Sequence, residues 1–194
     1  MQMRTRREGQ SLRSVERAPR LSIVIPVLNE APTLATHLMA LQTLRAQGVE
    51  VIVVDGGSGD DSVRRAKPLA DRVLSSPPGR GVQMNLGAQH ASAPALLFLH
   101  ADTHLPTGAV EQLLHALNTH DWGRFDILLA GHSRWLPLIS KMINQRSRLT
   151  GIATGDQGIF VRASTFQAIG GFPEQPLMED IELTKRLKRV SPPA

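Results

Sequence analysis

The sequence predicts an α/β protein with an open, mostly parallel central sheet. Short apolar, β-branched runs alternate with helical segments along the first hundred residues, which is the pattern of strands joined by right-handed helical crossovers. Polar clusters at Asn29, Asp55 and Asp102 each follow such an apolar run. Ligands of open α/β sheets bind outside the carboxyl ends of the strands. We therefore expect these three clusters to lie along one edge of the sheet.

The first half of the chain contains four predicted strands and three predicted helices. The strands are apolar runs bounded by polar or glycine-rich turns, at residues 21–27, 49–54, 72–75 and 95–99. The first helix begins around residues 29–33, where Pro32 is tolerated in the first turn, and it ends at Gly48. A second helix extends to about Ala70, and a third follows the loop at residues 77–81.

The second half is less regular. We expect an amphipathic helix over residues 136–149 with Ile139, Met142 and Ile143 on one face, a strand at residues 158–161, and short helices at residues 163–169 and 181–187. A chain of 194 residues suits one domain. We assign it to residues 21–194 and expect residues 1–20, which carry six arginines, to form a disordered basic arm.

Composition excludes several classes of function. The chain has no cysteine, so disulfides, thiolate metal sites and a catalytic thiol are excluded. The net charge of +5 could suggest nucleic-acid binding. However, aromatic residues make up only 4% and tyrosine is absent, so few side chains are available for bases to stack on. The sequence has neither a membrane-length apolar run nor the apolar core of a secretory signal. We therefore expect a cytoplasmic protein, with membrane contact limited to a peripheral surface.

Two aspartates at strand ends are candidate ligand-binding residues. Asp55 precedes two glycines, which permit close backbone approach, so its carboxylate can accept hydrogen bonds from a base or ribose; the alternative is an ordinary acidic turn. Asp102 can hold Mg²⁺ or Mn²⁺ beside a diphosphate, or it can cap the next helix. His100 and His104 suggest zinc, but they lack a convincing third partner.

A carboxylate pair, Glu179 and Asp180, forms the third constellation. The surrounding residues Leu177, Ile181 and Leu187 can pack one face of a helix. One carboxylate can act as a general base that deprotonates an acceptor hydroxyl. The helix dipole, which favours acidic residues at a helix start, explains the pair equally well.

Taken together, these motifs resemble those of the family 2 glycosyltransferases of the GT-A fold. The resemblance rests on the ordered segments 24–30 (VIPVLNE), 54–58 (VDGGS), 100–102 (HAD) and 178–180 (MED). The longer segments 78–87 (PGRGVQMNLG) and 154–160 (TGDQGIF) are similar to one bacterial branch, the transferases associated with arsenosugar biosynthesis or with selenodomains.

The resemblance implies a nucleoside-diphosphate-sugar donor, an unknown acceptor, a divalent cation (Mg²⁺ or Mn²⁺) and inversion at the anomeric carbon. It implies that Asp180 is the base, supported by Glu179, and that Asp102 holds the metal with Ala101 beside the donor sugar. The remaining binding residues that it implies are Pro26, Val27, Asn29 and Glu30 around the base, Asp55 binding it, and Arg80, Gln83 and Asn85 near the ribose and diphosphate. The alternative interpretation, which needs no family resemblance, is that Arg80 is a solvated cation in a loop and that Gln83 and Asn85 belong to a polar helix face.

Two departures from the family pattern bear on activity. The family's metal motif commonly carries two aspartates, whereas His100 occupies the first position here. Relatives continue beyond the point where this chain ends, so we expect a domain that is incomplete at its C-terminus. The alternatives are a nucleotidyltransferase, although no glycine-rich loop with a lysine follows the first strand, and a non-catalytic nucleotide-sugar binding module.

Overall fold

A computed structural model describes residues 18–131, 133–175 and 177–194. Residues 1–17 of the predicted basic arm lie outside this range. Six strands form within it: β1 (Leu21–Val27), β2 (Val49–Asp55), β3 (Arg72–Ser75), β4 (Ala95–Phe98), β5 (Trp122–Arg124) and β6 (Ile159–Arg162). The α-helices are α1 (Ala31–Ala40), α2 (Gln42–Ala46), α3 (Ser62–Ala66), α4 (Arg80–Gln89), α5 (Ala109–Ala116), α6 (Leu136–Thr150), α7 (Ala163–Ala168) and α8 (Glu179–Val190).

The strands form one mostly parallel sheet in the order β3-β2-β1-β4-β6-β5. Strand β1 pairs in parallel with β2 and with β4, and β2 pairs in parallel with β3. Strand β6 runs antiparallel to both of its neighbours. This arrangement confirms the predicted α/β class. The chain runs outward from β1 through β2 to β3 and then crosses back to β4 on the other side of β1. This reversal opens a crevice at the carboxyl ends of β1 and β4.

Helices cover both faces of the sheet because successive strand side chains point to opposite sides. Ile23 of β1 faces the cluster that contains Leu34 of α1 and Leu113 of α5. Val24, the next residue, faces the cluster that contains Met84 of α4 and Leu183 of α8. Strand β1 is therefore buried on both sides, which explains why its sequence is a largely apolar run.

Several elements differ from their predicted extent. The first predicted helix is divided at Leu41 into α1 and α2, and α3 ends at Ala66 instead of about residue 70. Helix α5 and the three-residue strand β5 are absent from the sequence-based prediction. Trp122 in β5 is fully buried, and its indole N–H donates to the carbonyl of Ser191 at 2.9 Å.

Two predicted helix faces are also corrected. In α8 the buried residues include Leu183 and Leu187, whereas Leu177 precedes the helix and is exposed. In α6 the buried residues are Ser140 and Ser147, while Ile139 and Met142 are exposed and Ile143 is partly buried. Helical spacing identifies residues that share a face, but it does not identify the side on which the rest of the protein lies.

Candidate functional site

A cavity of about 750 Å³ lies at the carboxyl ends of β1 and β4. Three loops and two helix starts form its walls. Nine of the twelve predicted site residues line it: Pro26, Val27, Glu30, Arg80, Gln83, Ala101, Asp102, Glu179 and Asp180. Residues without a predicted role also line it, among them Leu28, Gly79, His100, Thr154 and Met178. Segments as distant in sequence as residues 26 and 180 therefore converge on one site.

Asn29 is a predicted site residue that connects two loops instead of lining the cavity. Its backbone is left-handed, with φ of 56°, a conformation that asparagine tolerates better than most residues. Its side-chain oxygen accepts from the N–H of Gly59 at 2.9 Å, and its own N–H donates to the Ser58 hydroxyl at 2.8 Å. These bonds join the loop after β1 to the loop after β2 and so shape the cavity wall.

Asp55, the last residue of β2, is buried and closes the turn that follows. Its carboxylate accepts from the N–H of Gly57 at 3.0 Å and from that of Ser58 at 3.1 Å. It is not among the residues that line the cavity. In this structure Asp55 has the geometry of an acidic turn, which was one of its two sequence-based interpretations.

Gln83 of α4 connects β1 and β2 at their carboxyl ends. Its amide nitrogen donates to the carbonyl of Val27 at 2.9 Å and to that of Val54 at 2.8 Å. The side chain is buried, and a Cβ atom added to Gly56 would lie 3.0 Å from its amide carbon. The glycine at position 56 thus leaves room for Gln83, which supports the cavity floor with both amide hydrogens already used.

Asn85, two residues further along α4, does not line the cavity. Its side chain donates to the carbonyl of Phe172 and accepts from the N–H of the same residue, both at 2.9 Å. This pair of bonds holds α4 against the segment that precedes α8. The family resemblance implies a position for Asn85 near the ribose, whereas in the structure its side chain holds the segment that forms a wall of the cavity.

His100 is a buried polar group beside the carboxylates of the cavity. Burial lowers the pKa of His100 below its usual value of 6.5, and the positive charge of Arg80 lowers it further, while Asp102, Asp156 and Asp180 act in the opposite direction. The Nε2 atom of His100 is buried and makes no hydrogen bond with any described residue. A neutral imidazole in this position can donate a hydrogen bond or ligate a cation.

The start of α8 brings Asp180 to the cavity. Met178 adopts a left-handed backbone with φ of 62°, which turns the chain into the helix. The Asp180 carboxylate accepts from the N–H of Gly155 at 2.6 Å and from that of Ile181 at 2.7 Å. Glu179 beside it is buried. Asp180 is thus anchored between two segments, and each of its oxygens keeps a second lone pair.

Asp102 lies at the boundary with a second cavity. It is exposed, it lines the first cavity, and it also lines a neighbouring cavity of about 580 Å³. Residues 125–130 and the segment from Asp156 to Gly158 form much of the second cavity. Residues 125–130 carry no recognisable motif, so sequence reasoning could not have found this wall.

The described residues contain no group of three or more histidine, aspartate or glutamate side chains arranged to hold a metal ion. A cation at Asp102 would have one protein carboxylate, with the His100 imidazole lining the same cavity. Such a donor set fits a hard divalent cation that takes most of its ligands from phosphate oxygens and water.

The family model described as glycosyl transferase family 2 matches residues 22–162 of this chain. An undecaprenyl-phosphate 4-deoxy-4-formamido-L-arabinose transferase of Klebsiella pneumoniae (strain 342) is 28% identical over 163 residues, which are 74% of this chain and 48% of that protein. An uncharacterized glycosyltransferase of Mycobacterium tuberculosis (strain CDC 1551 / Oshkosh) is 36% identical over 107 residues, 52% of this chain and 41% of the relative. The chain spans about half the length of the curated relatives it matches.

Solved structures share the fold. A mannosyltransferase of Pyrobaculum calidifontis, in complex with GDP-Man and Mn²⁺, superposes with a TM-score of 0.64 at 22% identity, over 87% of this chain and 51% of that one. Glucosyl-3-phosphoglycerate synthase of Mycobacterium tuberculosis, in complex with Mn²⁺, UDP and phosphoglyceric acid, superposes with a TM-score of 0.67 at 22% identity, over 91% and 66%. The GT-A fold expected from the sequence is confirmed by these neighbours.

Proposed function

Since the chain belongs to glycosyl transferase family 2, we propose that it transfers a sugar from a nucleoside-diphosphate donor to an acceptor. The observation that carries this proposal is the convergence of nine predicted site residues on the cavity at the β1/β4 crevice. Open α/β sheets bind nucleotides at this position. The expected cytoplasmic location is part of the proposal.

The donor nucleotide is proposed to lie between the β1 end and the start of α4. Pro26, Val27 and Glu30 would border the base. Arg80 begins α4, a helix of ten residues whose N-terminus faces the cavity. Backbone N–H groups and the helix dipole at such a terminus favour phosphate, and the Arg80 guanidinium adds a positive charge.

A divalent cation, Mg²⁺ or Mn²⁺, is proposed to bind between Asp102 and the donor diphosphate. The single carboxylate and the absence of a three-residue group among the described residues imply that the donor supplies most of the ligands. When bound, such a cation offsets the charge on the departing diphosphate. Both neighbours described above have Mn²⁺ in their complexes.

Asp180 is proposed to be the general base, with Glu179 supporting it. The acceptor hydroxyl gives its proton to a carboxylate oxygen of Asp180, its oxygen bonds to the anomeric carbon, and the bond from that carbon to the diphosphate breaks with inversion. The bonds from Gly155 and Ile181 leave one lone pair free on each Asp180 oxygen. They hold the carboxylate in a fixed orientation, which is the contribution that positioning makes to such a reaction.

The segments 78–87 and 154–160 support placing the chain in the arsenosugar- or selenodomain-associated branch, and we propose that assignment. Both segments contribute to the cavity or its support, through Arg80, Gln83 and Thr154. The curated relative from Klebsiella pneumoniae is named for an undecaprenyl-phosphate acceptor. The acceptor test should therefore include lipid phosphates as well as small hydroxyl compounds.

Thermal unfolding with a panel of UDP- and GDP-sugars, each with and without Mg²⁺ or Mn²⁺, tests donor binding. A donor present at one hundred times its Kd stabilises the native state by about 2.7 kcal/mol, which is a Tm increase of about 5–11 °C for a domain of this size. Nucleoside monophosphates are the matched control, because they lack the diphosphate. No shift with any donor would contradict the proposal.

A product assay then separates the alternatives. A glycosyltransferase releases nucleoside diphosphate and forms a glycoside. A nucleotidyltransferase converts a nucleoside triphosphate and a sugar phosphate to a nucleoside-diphosphate sugar and pyrophosphate. A binding module gives the thermal shift without turnover.

A further inference from the structure

Helix α6 presents its apolar residues away from the protein. Its buried side chains are Ser140 and Ser147. The exposed large apolar side chains at this helix are those of Trp135, Leu138, Ile139, Met142 and Leu149. At 100° per residue these five positions fall within an arc of about 100° on the helix surface. We call these five residues the α6 stripe.

The inner face of α6 is attached through polar contacts. Asn144 donates to the carbonyl of Ile127 and accepts from its N–H, both at 2.9 Å. The Ser140 hydroxyl accepts from the N–H of Leu129 at 2.9 Å. Because these bonds fix the orientation of the helix, the α6 stripe cannot turn inward without breaking them.

The charge around the stripe has one sign. No aspartate or glutamate occurs between residues 127 and 155, whereas Arg134, Lys141, Arg146 and Arg148 lie in that range. Arg148 is paired with Asp126, and none of the ion pairs among the described residues involves the other three cations. At 100° per residue, Lys141 and Arg148 lie along one side of the stripe and Arg146 lies within its arc, while Arg134 precedes the helix.

We propose that α6 docks on an anionic lipid bilayer, lying in the plane of the interface with its stripe in the headgroup region. A tryptophan and aliphatic side chains on one face, in a helix that carries cations and no acidic residue of its own, are the features of interfacial helices. Each cation near an anionic surface contributes to attraction. A helix that packs against a second protein copy would instead be expected to carry charges of both signs beside its apolar seam.

Docking through α6 would place the second cavity near the membrane. The segment of residues 125–130 lines that cavity and rests on the inner face of α6 through Ile127 and Leu129. None of the helices in the described part of the chain has the length and apolarity that a membrane crossing requires.

The two tryptophans of the chain provide a direct test in the unmodified full-length protein. Trp122 is fully buried, whereas Trp135 is 69% exposed. Vesicles of phosphatidylglycerol and phosphatidylcholine should shift the fluorescence emission to shorter wavelength, because only Trp135 changes its surroundings. The Trp135→Phe protein should bind but show no shift. Absence of both shift and co-sedimentation with these vesicles would overturn the proposal.

Matched variants locate the contact. Met142 and Met39 have similar exposure, 62% and 59%, but Met39 lies on α1, away from the stripe. Met142→Ser should weaken co-sedimentation about tenfold, and Met39→Ser should leave it unchanged. Lys141→Gln should weaken it about fivefold, whereas Lys67→Gln, at the end of α3, should not. Circular dichroism verifies that each variant is folded.

Two results would contradict the proposal even if the protein binds vesicles. Equal losses for Met142→Ser and Met39→Ser would show that α6 is not the contact. Equal binding to pure phosphatidylcholine would show that the cations do not contribute. Light scattering could instead show a dimer that Met142→Ser converts to a monomer. If the protein also failed to bind vesicles, the stripe would be assigned to contact with a second copy of the chain. Nucleotide-sugar binding is independent of all these measurements.

Discussion

The Asp180→Asn substitution distinguishes a general base from a residue that only begins α8. Both oxygens of the carboxylate accept backbone N–H groups, from Gly155 at 2.6 Å and from Ile181 at 2.7 Å. An asparagine keeps one acceptor oxygen and directs an NH₂ group at the other N–H donor. The substitution therefore has a structural cost even if Asp180 has no catalytic role.

The two effects differ in magnitude and in the assay that detects them. Losing one hydrogen bond to a charged group costs about 1.5–3 kcal/mol, which lowers the Tm by about 3–12 °C in a domain of this size. Losing a positioned general base lowers the transfer rate by about 10²–10⁴. Donor affinity should remain near that of the wild-type protein, because the proposed donor contacts are made by other residues.

Asp71→Asn is the matched control. Asp71 accepts from the N–H of Val51 at 2.7 Å and pairs with Arg45 at 2.6 Å, and it lines none of the cavities described above. Its substitution should lower the Tm while leaving transfer unchanged. Rates are compared at a temperature well below both melting points, with the acceptor saturating.

A folded Asp180→Asn protein with near-normal turnover would refute the assignment. In that case Glu179, which is buried beside Asp180, and Asp156, which lines the second cavity, are the next carboxylates to test. A loss of donor affinity as large as the loss of rate would also refute it, because the residue would then act in binding.

Four further predictions follow from named contacts. Asp102→Ala should abolish the metal-dependent part of nucleoside-diphosphate affinity without lowering the Tm, and unchanged metal-dependent affinity in calorimetry would contradict the proposed site. Gly87→Ala should lower stability by about 1–3 kcal/mol in denaturant unfolding, because a Cβ there would lie 2.3 Å from a valine methyl group of β1; Gly59→Ala, with nothing within 4 Å, is the control. Burial raises the pKa of Asp71, but hydrogen bonds from an arginine and a backbone N–H outweigh it and hold the pKa below 3.8. The stability that this group contributes is complete above that value and is lost as the pH falls through the folded-state pKa. The difference in Tm between the wild-type protein and Asp71→Asn should therefore be largest at neutral pH and disappear in acid. Deleting residues 1–18, the predicted basic arm, should leave Tm and donor affinity unchanged, and a fall in either would show that the arm takes part in the fold.

The sequence alone was sufficient to predict the four parallel strands and the edge of the sheet at which the predicted site residues meet. Strands β1, β2 and β4 are buried on both faces, so they appear as largely apolar runs that are followed by polar residues. The apolar pattern predicts these strands correctly because the apolar, β-branched side chains that favour burial also favour strand formation. The motifs around Asp102 and Asp180 likewise predicted residues that line one cavity.

Elements that depend on long-range contacts could not be predicted from the sequence. Strand β5 has three residues and is held by pairing with β6 and by the contact of Trp122 with Ser191, neither of which is a local property. The direction of β6 depends on the route of the chain before it. A single sequence contains the periodicity of such segments but not their partners.

The same distinction applies to side chains within one element. Gln83 and Asn85 lie two residues apart in α4. Gln83 forms hydrogen bonds with β1 and β2 beneath the cavity, whereas Asn85 forms hydrogen bonds with Phe172 outside it. In α6, spacing predicted the shared face of Ile139 and Met142, whereas polar bonds at Ser140 and Asn144 determined that this face is exposed. Periodicity defines which residues lie together on a helix, but the orientation of the helix is set by partners that are distant in sequence.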